Sequence, residues 1–296
     1  MLGKKQVSLK GLVVPLLTPL DENLSLDKVA LKNHSARLLN RGVKNLFVLG
    51  PYSEYEYLPH NQQREALKVV SATVANHGKV IAGCFGETND EVIGKVAQNQ
   101  KIADVCAVNV PPLALESEVF FVEFFDELFM QTKADIVIYN NPFLFTRNVP
   151  VRAVNLIEGW ERLLAFIDGS RNKDYFNALS TKATSLKIFQ ESEDAVIDSL
   201  QSGCVGIMPL SSNVYPVYFL SLLENVNSLD YVSSVRVQHK INSIIREAFP
   251  FEKMIQAYKY MLSVEGIMMP YHARELGVLT EVEKSRLIQM AQAYFA

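Results

Sequence analysis

Residues 163–176 read LLAFIDGSRNKDYF, and this stretch decides the fold. An apolar run, 163–167, meets Asp168, Gly169 and Ser170, and a polar segment able to open a helix follows. Such a succession describes a buried parallel strand whose carboxyl end turns into a crossover helix. In α/β sheets, open or closed, ligands bind at those strand ends. The stretch therefore also marks where a site would lie.

Outward from it, apolar runs recur at 11–17, 45–49, 80–85, 105–110, 136–140, 186–189 and 205–208. Segments of helical length lie between them, at 27–40, 61–74, 90–102 and 116–130. Their apolar residues recur at three and four positions, as in Leu26, Val29, Ala30 and Leu38. Strands alternating with helices imply parallel βαβ units. Eight units within residues 1–226 match the size of a (β/α)8 TIM barrel, of class α/β. An open doubly wound sheet is the rival, but no GxGxxG follows the first strand. Beyond the barrel the strand signal stops. Segments 230–248, 252–264 and 280–294 read as helices, separated by Pro250 and Gly266, with Pro270 beyond. Residues 227–296 are expected to pack on the barrel as a helical appendix, giving one compact unit.

Composition narrows the function classes. The chain has 296 residues, 49% of them hydrophobic and 21% charged, as in an ordinary globular protein. A net charge of -3 disfavours a nucleic-acid surface, which needs basic excess to neutralise phosphates. No apolar run is long enough to span a membrane, and MLGKKQVSLKG lacks the apolar core of a secretory signal. Cys84, Cys106 and Cys204 are far apart in apolar runs, which suits buried thiols in a reducing, cytoplasmic setting. His34, His60, His77, His239 and His272 show no metal-ligand spacing, so no metal or cofactor is expected. The Phe120, Phe121, Phe124, Phe125 cluster has helical spacing and reads as core or subunit interface. Glu191, Glu193 and Asp194 read as acids leading a helix, opposing its dipole.

The opening stretch resembles a segment shared by dihydrodipicolinate synthase, N-acetylneuraminate lyase and 2-keto-3-deoxygluconate aldolase, G-[IV]-K-D-S-S-x-D-x-x-[YF]-F. Ala165, Phe166, Ile167, Asp168, Gly169 and Ser170 fall on its start, and Tyr175 and Phe176 on its aromatic pair. The likeness extends along the chain. Thr18, Pro19 and Asp27 match the family's opening, and Gly50, Glu54 and Leu58 its G-T-T-G-E loop. Tyr139-Asn140-Asn141-Pro142 matches Y-N-x-P, and residues 203–207 with Asn213 and Pro216 match the last strand and its loop. The resemblance implies a TIM barrel, lyase chemistry through a lysine Schiff base with a 2-keto acid, and assembly as a dimer or tetramer.

The departures fall on the chemistry. Ile167 occupies the Schiff-base lysine position. Pro51, Tyr52 and Ser53 replace the loop residues that hold the keto acid's carboxylate. Pro51 has no N–H to offer and Tyr52 is bulky. Leu113 stands where a neighbouring subunit's relay tyrosine is expected, and Ser192 where the family has a glycine. Phe143, Leu144 and Phe145 supply no arginine in register, although Arg147 is close. Tyr139 is the retained family tyrosine, either a proton shuttle or a strand-end residue bonded to a neighbour. The expected substrate-binding set is Pro51, Tyr52, Ser53, Ile167, Ser192 and Met208, in an apolar mouth.

Two function classes are thus carried forward. The first is a pseudoenzyme, a homologue without Schiff-base aldolase activity that binds a small-molecule ligand or a partner, either itself or an active paralogue. The second is a working lyase on a 2-keto acid, with Lys173 or Lys187 as a relocated amine, or with Tyr139 and an acid such as Glu54 acting without an imine.

Overall fold

A computed structural model describes residues 8–145, 147–247, 253–274 and 278–295. Ala248, Pro250 and Glu252, which the sequence places at a junction of two helices, lie outside the described residues.

The apolar runs become strands β1 (Gly11–Pro15), β2 (Asn45–Val48), β3 (Lys79–Cys84), β4 (Val105–Val108), β5 (Ile136–Asn140), β6 (Leu163–Asp168), β7 (Lys187–Gln190) and β8 (Gly206–Ile207). All pair in parallel with their sequence neighbours, and β1 pairs β8, so the sheet closes into a barrel. The crossover helices are α1 (Lys28–Asn40), α2 (His60–Val74), α3 (Asn89–Asn99), α4 (Glu118–Gln131), α5 (Val151–Asn155), α6 (Lys173–Lys182), α7 (Val196–Gln201) and α8 (Pro216–Asn227). Then come α9 (Tyr231–Glu247), α10 (Met254–Val264) and α11 (Glu281–Phe295). The rival open sheet is thereby excluded.

Strands wrapped on both faces must be apolar on both, which is why they read as unbroken runs. Outward side chains such as Cys106, Ile138 and Phe166 pack under α3 to α6. Inward side chains of alternate residues, among them Phe47, Ile81, Val137, Ile167, Phe189 and Met208, fill the barrel as a separate cluster. Filling it needs room for Phe189. A Cβ at Gly206 would lie 2.4 Å from that ring and 2.3 Å from the Gly11 carbonyl oxygen.

Local signals set the helix starts. Asp27 accepts from the amides of Val29 and Ala30 at 3.0 and 2.9 Å, capping α1. Ser117 does the same for α4 and Asn172 for α6. Each cap is worth about 1 kcal/mol. On α4, Phe121, Phe124, Phe125 and Leu128 turn inward, and each contributes ~2 kcal/mol of burial. Three of the four clustered phenylalanines are therefore core; Val119, Phe120 and Met130 remain exposed. Asn213, after β8, ties the barrel end together. Its side chain accepts from Leu17 N at 3.1 Å and donates to Pro15 O at 2.8 Å and Leu210 O at 2.9 Å.

Candidate functional site at the carboxyl ends of the strands

The inward parity of three strands continues one step past their ends. Beyond Tyr139 comes Asn141, beyond Ile167 comes Gly169, and beyond Phe189 comes Glu191. Because side chains alternate with a period of two, these form the layer above the filled barrel. Glu191 is its centre. The Tyr139 hydroxyl donates to Glu191 Oε2 at 2.8 Å, and Asn141 Nδ2 to the same oxygen at 3.3 Å. The Tyr52 hydroxyl, from the turn after β2, donates to Glu191 Oε1.

Burial dominates the electrostatics. Desolvation pushes the Glu191 carboxyl up, while the two tyrosine hydroxyls, Arg171 and Asn141 pull it back. Both tyrosines are raised well above their ordinary value, by burial first and by the Glu191 charge next. Beside them Phe85 packs tilted on Tyr139 at 5.5 Å between ring centroids, and Phe145 packs edge-on at 5.9 Å.

Two further acids, Asp168 buried and Glu193 half-buried, brace the strand ends. Asp168 accepts from Ser170 N at 3.0 Å and from Asn140 Nδ2 at 3.3 Å. Glu193 accepts from Ser211 N at 2.9 Å and from the Ser211 hydroxyl. Both carboxyls are raised by desolvation. A cavity of about 390 Å³ starts at Tyr52, Glu191, Ser192 and Glu193 and runs out between α6 and α7 to Ile245 and Met254. Arg171 stands at its rim with φ +53°, its guanidinium 5.8 Å from the Phe143 ring centroid.

The expected site residues separate. Tyr52 and Ser192 line this cavity. Ile167 and Met208 instead pack inside the barrel below Tyr139. Pro51 begins the turn that carries Tyr52, and the buried Ser53 hydroxyl donates to Gly50 O at 2.6 Å. Leu113 and Phe143 are exposed, so the mouth is less apolar than expected and has a carboxylate at its centre. Arg147 is turned away to Glu116, at 2.7 Å. The acids expected to lead a helix do not. Ala195, with no side chain to cap it, holds the N-cap position of α7, and Glu191 and Glu193 line the mouth cavity. Glu54, on the turn after β2, has a partner of its own. It pairs with Lys259 of α10, both side chains wholly buried.

The sequence reading missed Glu191, Asn141, Gly169 and Lys259. Extending the alternation past each strand end would have found the first three. Nothing local marks Lys259. Among the described residues no group of three or more His, Cys, Asp or Glu could hold a metal ion. No helix among them is long and apolar enough to cross a membrane.

The profile of the Dihydrodipicolinate synthetase family matches residues 8–294. The 4-hydroxy-tetrahydrodipicolinate synthase of Azobacteroides pseudotrichonymphae is 24% identical over 268 residues, covering 89% of this chain and 90% of that one. Among solved structures, a monomeric dihydrodipicolinate synthase variant superposes with a TM-score of 0.89 at 18% identity, over 97% of each chain. A prophage protein of the dihydrodipicolinic acid synthase family from E. coli K12, solved with pyruvate, gives 0.88 at 18% identity over 98% of this chain and 99% of that one. At such identities the structural likeness speaks for the fold.

Proposed function

The chain belongs to the dihydrodipicolinate synthetase family, and from that premise we propose that it is a member without Schiff-base aldolase activity, binding a small ligand or a partner at the barrel mouth. One observation carries this reading. The inward residue of β6 beside Tyr139 is Ile167, 1% exposed and packed among hydrocarbons. Aldol cleavage needs an electron sink at the carbonyl, which an amine provides by forming an iminium and an isoleucine does not. The lysines weighed as substitutes support the same reading. Lys173 is 77% exposed and lies 3.6 Å from Asp198. Lys187 opens β7, at the barrel end opposite the mouth. Lys259 donates to Glu54 and, at 2.9 Å, to the Tyr271 carbonyl.

Borohydride reduction after incubation with pyruvate tests the proposal. No gain in mass is expected, and Ile167→Lys alone is expected to remain without aldolase activity, because Pro51 and Tyr52 are still in place. A reduced adduct mapped to any lysine of the unaltered protein would replace this reading with an active aldolase. A second reading, lyase chemistry without an imine, is favoured by one contact. The Tyr139 hydroxyl donates to Glu191 at 2.8 Å, which sets a hydroxyl and a carboxylate side by side. Turnover of a 2-keto acid without a trappable adduct, lost in Tyr139→Phe, would establish it.

The protein is further read as a homo-oligomer with a dimer as its minimum. Support comes from the exposed apolar side chains of Leu113, Val119, Phe120 and Phe143. Light scattering at micromolar concentration is expected to give at least twice the chain mass of 33.3 kDa; a monomeric mass would defeat this. Its three cysteines, free and buried, suit a cytoplasmic location.

A further inference from the structure

Three neutral donors converge on one carboxylate at the floor of the mouth cavity. Tyr52 donates to Glu191 Oε1; Tyr139, at 2.8 Å, and Asn141, at 3.3 Å, donate to Oε2. All four side chains are buried. A separate feature of the backbone fits the same carboxylate. A Cβ on Gly169 would lie 2.2 Å from Glu191 Oε2 and 2.9 Å from Asn141 Nδ2. Contacts that short do not occur, so any larger residue at 169 would push the carboxylate out of its place. The site thus has donors on both carboxylate oxygens and a wall trimmed to admit them.

We infer that Tyr52, Tyr139 and Asn141 form a receptor for a small monocarboxylate and that its occupant is the chain's own Glu191. A tethered group competes at a high effective concentration and excludes its free counterpart. Hydrogen bonds to a charged acceptor are the stronger kind, and two hydroxyls with an amide suffice to hold one anion. The unaltered protein therefore presents a filled seat, and a ligand entering the cavity meets a carboxylate where the donors would otherwise be free. This deepens the reading that the mouth performs no imine chemistry, and rests on it.

Removing the occupant tests the idea. Tyr52 and Glu191 both line the 390 Å³ cavity, so a probe reaches the seat once the Glu191 side chain is gone. Glu191→Ala is to be melted in sodium acetate and in sodium chloride at equal ionic strength, with methylammonium chloride as a cationic control. Acetate alone is expected to raise its Tm, by about 3 °C at ten times Kd. The unaltered protein and Glu191→Gln, whose seats stay filled, are expected to show no acetate-specific rise. Adding Tyr139→Phe to Glu191→Ala is expected to weaken acetate by at least about tenfold, since it deletes a bond to a charged acceptor. Should Glu191→Ala unfold in chloride, refolding is the readout: recovery in acetate alone supports the receptor, and equal recovery in both salts, nil included, overturns it. Equal stabilisation by acetate and chloride, or an acetate response of the unaltered protein equal to that of the variant, also overturns it. Acetate has no ketone and forms no imine, so this result stands apart from the borohydride result.

Discussion

Replacing Lys259 by methionine is expected to cost about 3–5 kcal/mol and to lower Tm by roughly 10 °C. Lys259 on α10 and Glu54 on the turn after β2 are both wholly buried and form an ion pair. Desolvation lowers the Lys259 amine and the Glu54 charge raises it again, so the amine depends on that carboxylate to stay ionised. Both groups make further hydrogen bonds. Glu54 Oε1 accepts from Ala273 N at 2.7 Å and Arg274 N at 2.9 Å, and Lys259 donates to Tyr271 O at 2.9 Å. Removing one partner strands a buried charge, whereas replacing both removes the need for either. Glu54→Gln with Lys259→Met should therefore lose less than the sum of the single losses. A double-mutant cycle by chemical denaturation reads the coupling, and additive losses would reject it. Glu54 also follows Tyr52 by two residues, so the same pair fixes the turn that delivers Tyr52 to Glu191.

Acid should weaken the protein through His34. This imidazole is fully buried on α1, and its Nε2 lies 3.1 Å from Asn213 Oδ1. Burial, above all, pushes its pKa from 6.5 down to about 3; the Asn213 bond opposes this and the nearby Arg37 charge adds to it. The folded state thus binds fewer protons than the unfolded chain between those values. Stability from this group is complete above about 6.5 and is lost as pH falls towards 3. Between pH 7 and 4 the loss is about 3 kcal/mol. Asp168, Glu191 and Glu193 act in the opposite sense, because a raised folded-state carboxyl adds stability as pH falls. The comparison that isolates His34 is therefore with His34→Gln, not with the unaltered curve alone. Unfolding free energies of the two proteins at pH 7 and pH 4 should differ in their pH dependence by that amount. Parallel curves would mean that His34 is protonated or exposed in the native state.

How far the site could be read in advance follows from the range of the forces involved. Chain-local patterns fixed the architecture. Apolar runs at 136–140 and 163–167, polar turns after them and Asp27 as a cap act over a few residues, and they placed strands, helices and the barrel. The short helices α5 and α7 lacked enough turns to show a period, and were not read. Ile167 was visible because a missing amine is a property of one residue. What fills the mouth was not visible. Glu191 faces Tyr52 across 139 positions of chain and Tyr139 across 52, and Lys259 meets Glu54 across 205. A buried carboxylate is tolerable only where donors from other strands reach it, and no local pattern records that meeting. The sequence by itself determined an α/β barrel of parallel strands, with a hydrocarbon, Ile167, on the sixth. Only closure of the sheet, by bringing the ends of β2, β5, β6 and β7 within hydrogen-bond reach, turned an acidic run that reads as a helix start into the carboxylate at the centre of the site.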